Sequence, residues 1–173
     1  MQDNFQSERN QLSLILVEIA GEEFAVDLLE VKEIIRAGQI RRLPKSFDFV
    51  DGIYNYRGDI IHVINLNKKL NIKRQKLRGS EKKTEEENDS SKNFIMIVHI
   101  DDLTIGFFVD RIMNVAHISN EDIVGLSPII QTNVNAKSIN GIVKFKDRPR
   151  VWLNLKNILS DSEKSQIQKD LLF

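Results

Sequence analysis

Apolar residues along this chain fall mostly in short runs bounded by glycine, proline or polar pairs, a pattern typical of β-strands. Leu12–Ile19 is apolar at nearly every position, which predicts a strand buried on both faces. A turn at Gly21 and a short return strand at Phe24–Val26 follow. The N-terminal part therefore predicts a β-hairpin.

The next segment, Asp27–Ala37, has a different spacing. Asp27 is suited to cap a helix, and Glu30 stands three residues further on, as in a variant of the capping box. The apolar residues follow at helical intervals: Leu28, Val31, Ile34 and Ile35. Gly38 supplies a stop. This pattern predicts one short helix after the first hairpin.

Three further pairs of strands are predicted downstream. They are Val50–Tyr56 with Asp59–Leu66, Phe94–Ile100 with Leu103–Val109, and Gly141–Lys146 with Arg150–Leu155. In the turn of the first pair, Gly58 can supply the positive φ that a tight hairpin demands. The last residues, 160–173, contain apolar positions that predict a C-terminal helix or tail.

A repeat underlies this order of elements. The segment Asp51–Leu70 reappears without a gap as Asn140–Leu159, and an echo of Val17–Asp27 appears at Val98–Asp110. The identical pairs are Gly52/Gly141, Ile53/Ile142, Asn65/Asn154, Leu66/Leu155 and Leu70/Leu159. One chain thus carries the same β-rich unit twice, which predicts two small lobes that share a core.

The sharpest difference between the copies is Arg57-Gly58 in the first against Lys146-Asp147 in the second. Positions that agree are expected to serve packing, and positions that differ point toward function. Arg57 has two readings: an exposed turn residue, or a planar donor that fixes a carboxylate in this chain or another. Glu33 is a plausible partner within the chain.

Composition narrows the class of protein. The chain of 173 residues has 25 basic and 25 acidic side chains, so it lacks the charge excess expected for binding nucleic acid or an anionic membrane. With no cysteine it has neither disulfides nor thiolate metal sites, which fits a reducing compartment. No signal peptide is evident, and the apolar runs are too short to span a bilayer. We expect a cytoplasmic protein.

Charge patterning also predicts the domain organisation. Lys73–Asn93 has one leucine and no aromatic residue, so it is predicted to be a disordered insert. Residues 1–11 are predicted to be a flexible N-terminus, and residues 12–159 to form one domain of two pseudo-repeated lobes.

Catalytic and cofactor-binding motifs are absent from the sequence. His62, His99 and His117 are widely spaced and are expected to pack on sheet surfaces rather than to bind a metal. The adjacent Asp101 and Asp102 are typical turn formers. We therefore expect no catalytic residue, no metal and no cofactor.

The motifs, taken in order, resemble a known family. The succession is F-A-V-D-x-x-x-V-K-E-I-I, then L-P, then V-x-G-I-Y-N-Y-R-G-D-I-I-x-V-I-N-L, with V-D-R-I-M-N-V and N-G-I-V-K…L-N-L in the second half. It is similar to the CheW-type chemotaxis coupling proteins over roughly Leu12–Leu159. The resemblance implies a mainly β fold of two small five-stranded SH3-like barrels around a shared core.

The resemblance also implies a function without catalysis. Proteins of this type are adaptors that link transmembrane chemoreceptors to a chemotaxis histidine kinase, whose regulatory domain has the same fold. They are cytoplasmic and are recruited to membrane-associated receptor arrays. By similarity, Val31, Glu33, Arg57 and Val115 match positions linked to receptor binding, and Gly52 matches one that supports kinase binding. Arg57 has the alternative role of pinning Glu33.

Four rival readings fit the sequence less well. A β-barrel hydrolase using His99, Asp101 and Asp102 lacks a nucleophile motif. Nucleic-acid binding lacks a basic aromatic platform. A coupler fused to a receiver domain needs roughly another hundred residues with clustered aspartates. A detached kinase regulatory domain is disfavoured because Met1 lies shortly before the first strand.

Overall fold

A computed structural model describes residues 11–72, 93–126 and 136–171. The predicted flexible N-terminus and the predicted insert Lys73–Asn93 lie, except for Gln11 and Asn93, outside these ranges. The strands are β1 (Gln11–Ile19), β2 (Glu22–Asp27), β3 (Val31–Arg36), β4 (Val50–Tyr56), β5 (Asp59–Asn65), β6 (Phe94–Ile100), β7 (Leu103–Val109), β8 (Arg111–Ser119), β9 (Ile123–Val124), β10 (Ile139–Val143) and β11 (Arg150–Leu153). The α-helices are α1 (Leu66–Leu70) and α2 (Asp161–Asp170).

The strands form two sheets, which confirms the mainly β prediction. One sheet has six strands in the order β8-β1-β2-β11-β10-β9, and the other has five in the order β3-β6-β7-β5-β4. The six-stranded sheet exceeds the predicted five because the two-residue strand β9 adds to its edge. In the five-stranded sheet, Arg41 bridges Ile53 of the edge strand β4, which joins the segment after β3 to the opposite edge.

The two copies of the repeat exchange their hairpins. The first hairpin of copy one, β1–β2, shares a sheet with the last hairpin of copy two, β10–β11. In the same way β6–β7 of copy two shares a sheet with β4–β5 of copy one. The joints are parallel and have matching registers, with Ala25 opposite Trp152 and Gly106 opposite Val63. Each sheet therefore draws on both copies.

Strand alternation divides the apolar side chains among three clusters. In β1, Ile15 and Val17 point into a core that both sheets share, whereas Leu14 and Leu16 point into a smaller core of the six-stranded sheet. The five-stranded sheet has its own small core around Val63 and Ile97. Both faces of β1 are thus buried, as its continuous apolar sequence predicts.

The predicted helix at Asp27–Ala37 is wrong. Asp27 does cap a turn, because its carboxylate accepts a hydrogen bond of 2.8 Å from the Leu29 amide, but this 3₁₀ turn ends at Glu30. The chain then continues as β3 and pairs with β6. Its branched residues suit a strand, and a register shift between Val31 and Glu33 breaks the two-residue alternation. That irregularity is why the apolar spacing resembles a helix.

The predicted C-terminal helix is confirmed as α2. Ser160 forms a complete capping box with Glu163, and Ile167 is buried in the shared core. Lys69 of α1 also holds Glu163 with an N–O distance of 2.8 Å. The helix that follows copy two is therefore anchored to copy one. Within the described ranges, no helix is long and apolar enough to cross a membrane.

Candidate docking surface

Glu33, Tyr56 and Arg57 meet at one end of the five-stranded sheet. Glu33 lies on β3, Tyr56 ends β4, and Arg57 opens the turn to β5. The Tyr56 hydroxyl donates a short hydrogen bond to Glu33 Oε2. Arg57 Nη2 donates to Glu33 Oε1 at 3.1 Å and lies 3.0 Å from Oε2. The predicted contact between Arg57 and Glu33 is thus present, although Glu33 stands on a strand rather than a helix.

The neighbours of Glu33 keep its carboxylate charged. The Tyr56 hydrogen bond and the Arg57 charge hold the pKa of Glu33 below its usual range. The carboxylate that accepts from it raises the pKa of Tyr56, so the phenol stays protonated. At neutral pH the unit therefore consists of a carboxylate between a neutral phenol and a guanidinium.

The hairpin turn lifts Arg57 away from the sheet. Arg57 and Gly58 both have positive φ values, 51° and 87°, as a tight two-residue turn requires. Asn55 holds the turn by accepting a 3.0 Å hydrogen bond from the Gly58 amide. The Arg57 side chain is 69% exposed, while Glu33 is only partly exposed. The turn thus presents a cation whose carboxylate partner is anchored below it.

Val31 and Val115 lie on different sheets, on β3 and β8. Val31 pairs with Val98 and packs against the shared core. Val115 pairs with Ile15, a member of that core, so both side chains leave the same face of the sheet. Val115 is nevertheless 46% exposed, because β8 is an edge strand. Val31 is thus partly buried at the margin of the shared core, whereas Val115 is exposed at a sheet edge.

The structure explains why position 52 is a glycine. It is buried in β4 with φ of +150°, and an added Cβ would stand 2.0 Å from the carbonyl oxygen of Arg41. Ile53 and Arg41 exchange backbone hydrogen bonds of 2.8 and 3.0 Å beside it. Gly52 therefore allows the segment after β3 to lie directly on β4.

Two elements of this region were missed by the sequence reasoning. The sequence predicts Tyr56 only as the last residue of a strand. Its hydroxyl, which the matching Phe145 of the second copy lacks, is what binds Glu33. Arg150 was treated only as a strand start, yet it is a buried cation. The repeat contained both signals, because Arg150 stands where the first copy has the apolar Ile61.

Arg150 is the centre of an ion-pair network in the second copy. It contacts Glu23 through Nε at 2.7 Å and also through Nη2, and it contacts Asp147 through Nη1 at 2.9 Å. Its guanidinium lies 4.7 Å from the centroid of the Phe145 ring. The hydrogen bond from Arg150 lowers the pKa of Asp147 to about 2. Arg148 adds a second cation to Glu23 at 3.0 Å.

The other sequence-predicted groups lie apart from this surface. His99 and His117 are exposed on strands and hydrogen-bond Thr104 and Ser13, as expected for sheet-surface residues. His62 is instead buried, with Asp170 of α2 at 3.7 Å.

Asp101 and Asp102 form the β6–β7 turn. Among residues 11–72, 93–126 and 136–171, no cluster of three or more acidic or histidine side chains could hold a metal ion.

These features define a class of protein first. Two sheets pack around one core, and the charged and apolar groups left exposed at its margins suit binding of another protein. A family model described as "CheW-like domain" matches residues 13–163. The chain therefore belongs to the CheW-like family and is a chemotaxis adaptor that couples receptors and kinase.

Individual relatives agree with this assignment. The chain is similar to chemotaxis protein CheW of Treponema pallidum (strain Nichols), with 28% identity over 153 residues, 88% of this chain and 85% of that protein. It is also similar to chemotaxis protein CheW of Thermotoga maritima, with 28% identity over 156 residues, 87% of this chain and 89% of that protein. The crystal structure of scaffolding protein TtCheW from Thermoanaerobacter tengcongensis matches with a TM-score of 0.71 and 26% identity, covering 88% of this chain and 90% of that one.

Proposed function

We propose that the protein binds the cytoplasmic tip of methyl-accepting chemoreceptors and the regulatory domain of a histidine kinase, and acts without turnover of its own. The observation that carries the proposal is the exposed Arg57, anchored by Glu33 and Tyr56, in a chain of the CheW-like family. The protein works in the cytoplasm, at membrane-associated receptor arrays.

The receptor surface consists of Val31, Glu33, Arg57 and Val115. Chemoreceptor tips are helical, and a helix is recognised through apolar anchors on one face together with a few oriented polar contacts. Val31 supplies an anchor at the margin of the shared core, and Val115 supplies one at a sheet edge. Arg57 supplies the oriented contact. In this arrangement Glu33 contributes to receptor binding by anchoring Arg57, so the structural role of Glu33 and its role in binding are the same.

The kinase surface lies beside Gly52. The close approach of Arg41 to β4 depends on this glycine, so the shape of the adjoining surface depends on it too. A kinase regulatory domain of the same fold would dock here, barrel against barrel. Receptor signals can alter kinase activity only if the contacts differ between two states of the complex.

The experiment measures the two partners separately. Purified protein is titrated with a receptor cytoplasmic fragment and with the kinase regulatory domain, and kinase autophosphorylation is measured in receptor membranes with and without the protein. Val115→Glu is expected to weaken receptor binding about tenfold or more, because a charge replaces an apolar anchor. Kinase binding is expected to remain.

Val124→Glu is the matched control. Val124 is 40% exposed on β9, the opposite edge of the same sheet, so its substitution adds the same charge to a similar strand. It is expected to leave receptor binding unchanged. Equal losses in the two variants would contradict the proposed receptor surface. A protein that bound neither partner would contradict the proposal as a whole.

A further inference from the structure

We infer that Tyr56 is a positioning residue that acts through Glu33. It orients Arg57 so that the N–H donors which Arg57 does not use within the chain can bind a carboxylate of the receptor. The inference rests on the proposed receptor-binding role of Arg57. It adds two points to that role: the receptor group that Arg57 binds is a carboxylate, and Tyr56 orients Arg57 for this contact.

Arg57 uses only part of its donor capacity within the chain. A guanidinium carries five N–H donors in a planar fork. Nη2 alone reaches Glu33, at 3.1 Å from Oε1 and 3.0 Å from Oε2. In the described part of the chain, Nε and Nη1 have no hydrogen-bond partner. The remaining donors of this exposed fork are therefore available to a second acceptor.

Tyr56 fixes the direction in which the fork points. Its ring is buried at the end of β4, and its hydroxyl holds one oxygen of Glu33. The Arg57 guanidinium also lies 5.4 Å from the centroid of this ring. Because a tyrosine side chain has few rotatable bonds, the carboxylate is held at a set place on β3, and Arg57 follows it.

The second copy shows that barrel packing does not need this hydroxyl. Phe145 stands at the position that matches Tyr56, and its ring also lies beside an arginine. That arginine, Arg150, is buried and its donors are taken by Glu23 and Asp147. The phenolic hydroxyl is thus present only in the copy in which the arginine beside the aromatic ring is exposed.

The expected ligand is a carboxylate. The planar fork of arginine matches the two oxygens of a carboxylate or a phosphate. Glu33 already lies at the site, and Asp59 is exposed in the same hairpin. A phosphate monoester would bring nearly two negative charges toward these two carboxylates, whereas Asp or Glu brings one. A receptor acidic residue is therefore favoured.

Calorimetric titration with a receptor cytoplasmic fragment tests the inference. Arg57→Ala is expected to weaken binding about tenfold. Arg57→Lys keeps the charge but loses the fork, so it is expected to be nearly as weak. Tyr56→Phe is expected to weaken binding about threefold to fivefold at pH 7.5, the loss of one oriented hydrogen bond. Lys146→Ala, at the position of the second copy that matches Arg57, is the control and should bind normally.

A pH series distinguishes positioning from loss of packing. Without the Tyr56 hydroxyl the pKa of Glu33 should rise, so more of this carboxyl becomes protonated between pH 7.5 and pH 4.5. The affinity ratio of wild type to Tyr56→Phe should then grow as the pH falls. A variant that merely loosened the barrel would show one ratio at every pH, and thermal unfolding checks that it folds.

The carboxylate itself is found by changing acidic residues of the fragment, one at a time, to their amides. One change should abolish the difference between wild type and Arg57→Ala. If no change does so, or if Arg57→Lys binds as wild type, the carboxylate assignment is overturned. If Arg57→Ala weakens binding while Tyr56→Phe matches wild type at every pH, only the positioning role is overturned. An unaffected Arg57→Ala would overturn the receptor role of Arg57 itself.

Discussion

The two copies of the repeat place an arginine beside an aromatic ring at corresponding hairpins and treat it in opposite ways. In the first hairpin, Arg57 is 69% exposed and contacts one carboxylate through a single nitrogen. In the second, Arg150 is 8% exposed and is bound through all three nitrogens. The same chemical groups thus build an open site in one copy and a closed network in the other.

The difference in burial between Arg57 and Arg150 indicates which arginine serves binding and which serves stability. Charges that are buried and fully paired contribute nothing to an outside partner, and removal of one of them leaves the other unpaired in a poorly solvated place. An exposed pair gains little stability because solvent screens it, so its donors remain useful for recognition. We therefore assign Arg150 to folding and Arg57 to docking.

Arg150→Ala should produce the largest loss of stability. It leaves Glu23, which is largely buried, without its main cation, and Arg148 is the only cation that remains beside it in the described structure. We expect the free energy of unfolding to fall by about 3 kcal/mol or more. Urea unfolding followed by circular dichroism measures it.

Arg57→Ala is the comparison variant for this prediction. Because its side chain is mostly exposed, its removal should change the free energy of unfolding only slightly. Equal destabilisation by the two substitutions would contradict the division into a docking hairpin and a folding hairpin.

A glycine in each copy offers a second, smaller comparison. Gly52 and Gly141 both follow a register shift in their strand, and a neighbouring backbone carbonyl approaches each of them. An added Cβ would lie 2.0 Å from the Arg41 oxygen at Gly52, but 2.9 Å from the Val124 oxygen at Gly141. We expect Gly52→Ala to cost about 2–3 kcal/mol and Gly141→Ala about 1 kcal/mol.

Thermal unfolding of the two variants measures this order. Gly52→Ala should also weaken kinase binding, because the segment at Arg41 must move away from β4. A Gly52→Ala protein that was as stable as Gly141→Ala would show that this segment yields freely, and the proposed link between Gly52 and the shape of the kinase surface would be lost.

Local sequence signals predicted most of the elements. The hairpin around Arg57-Gly58 has a clear turn residue and is found as predicted. The C-terminal helix was predicted from apolar positions within residues 160–173 and is found at Asp161–Asp170, where Ser160 and Glu163 form a capping box that the prediction did not use. The failure at Asp27–Ala37 has a local cause, because the register shift in β3 hides its alternation. Strand β3 is defined by its pairing with β6, and that pairing is not visible in the segment itself.

The exchange of hairpins between the copies was beyond local signals. It depends on two parallel joints, β2 with β11 and β5 with β7, whose strands are distant in sequence. In the candidate site, the apolar match of Tyr56 to Phe145 concealed the role of the hydroxyl. A difference of one atom between two packed rings becomes informative only when the neighbouring strand β3 brings Glu33 to it.

The smallest expected effect concerns His62, which matches Val151 in the second copy. His62 is 1% exposed, and in the described structure neither ring nitrogen has a hydrogen-bond partner. Burial lowers the pKa of His62, although the Asp170 charge opposes this. The unfolded chain binds a proton below about pH 6.5, where the folded protein resists it. Stability should therefore fall as the pH drops through this region, and level off once the folded His62 is protonated.

His62→Val, which copies the residue of the second copy, should remove this part of the pH dependence. The measurement is the difference in the free energy of unfolding between pH 7.5 and pH 5.5, and it should be smaller in the variant than in wild type. His99→Val is the control, because His99 is exposed on β6 whereas His62 is buried. An unchanged difference in His62→Val would mean that other groups set the acid sensitivity, and that the copies do not differ in pH response at this position.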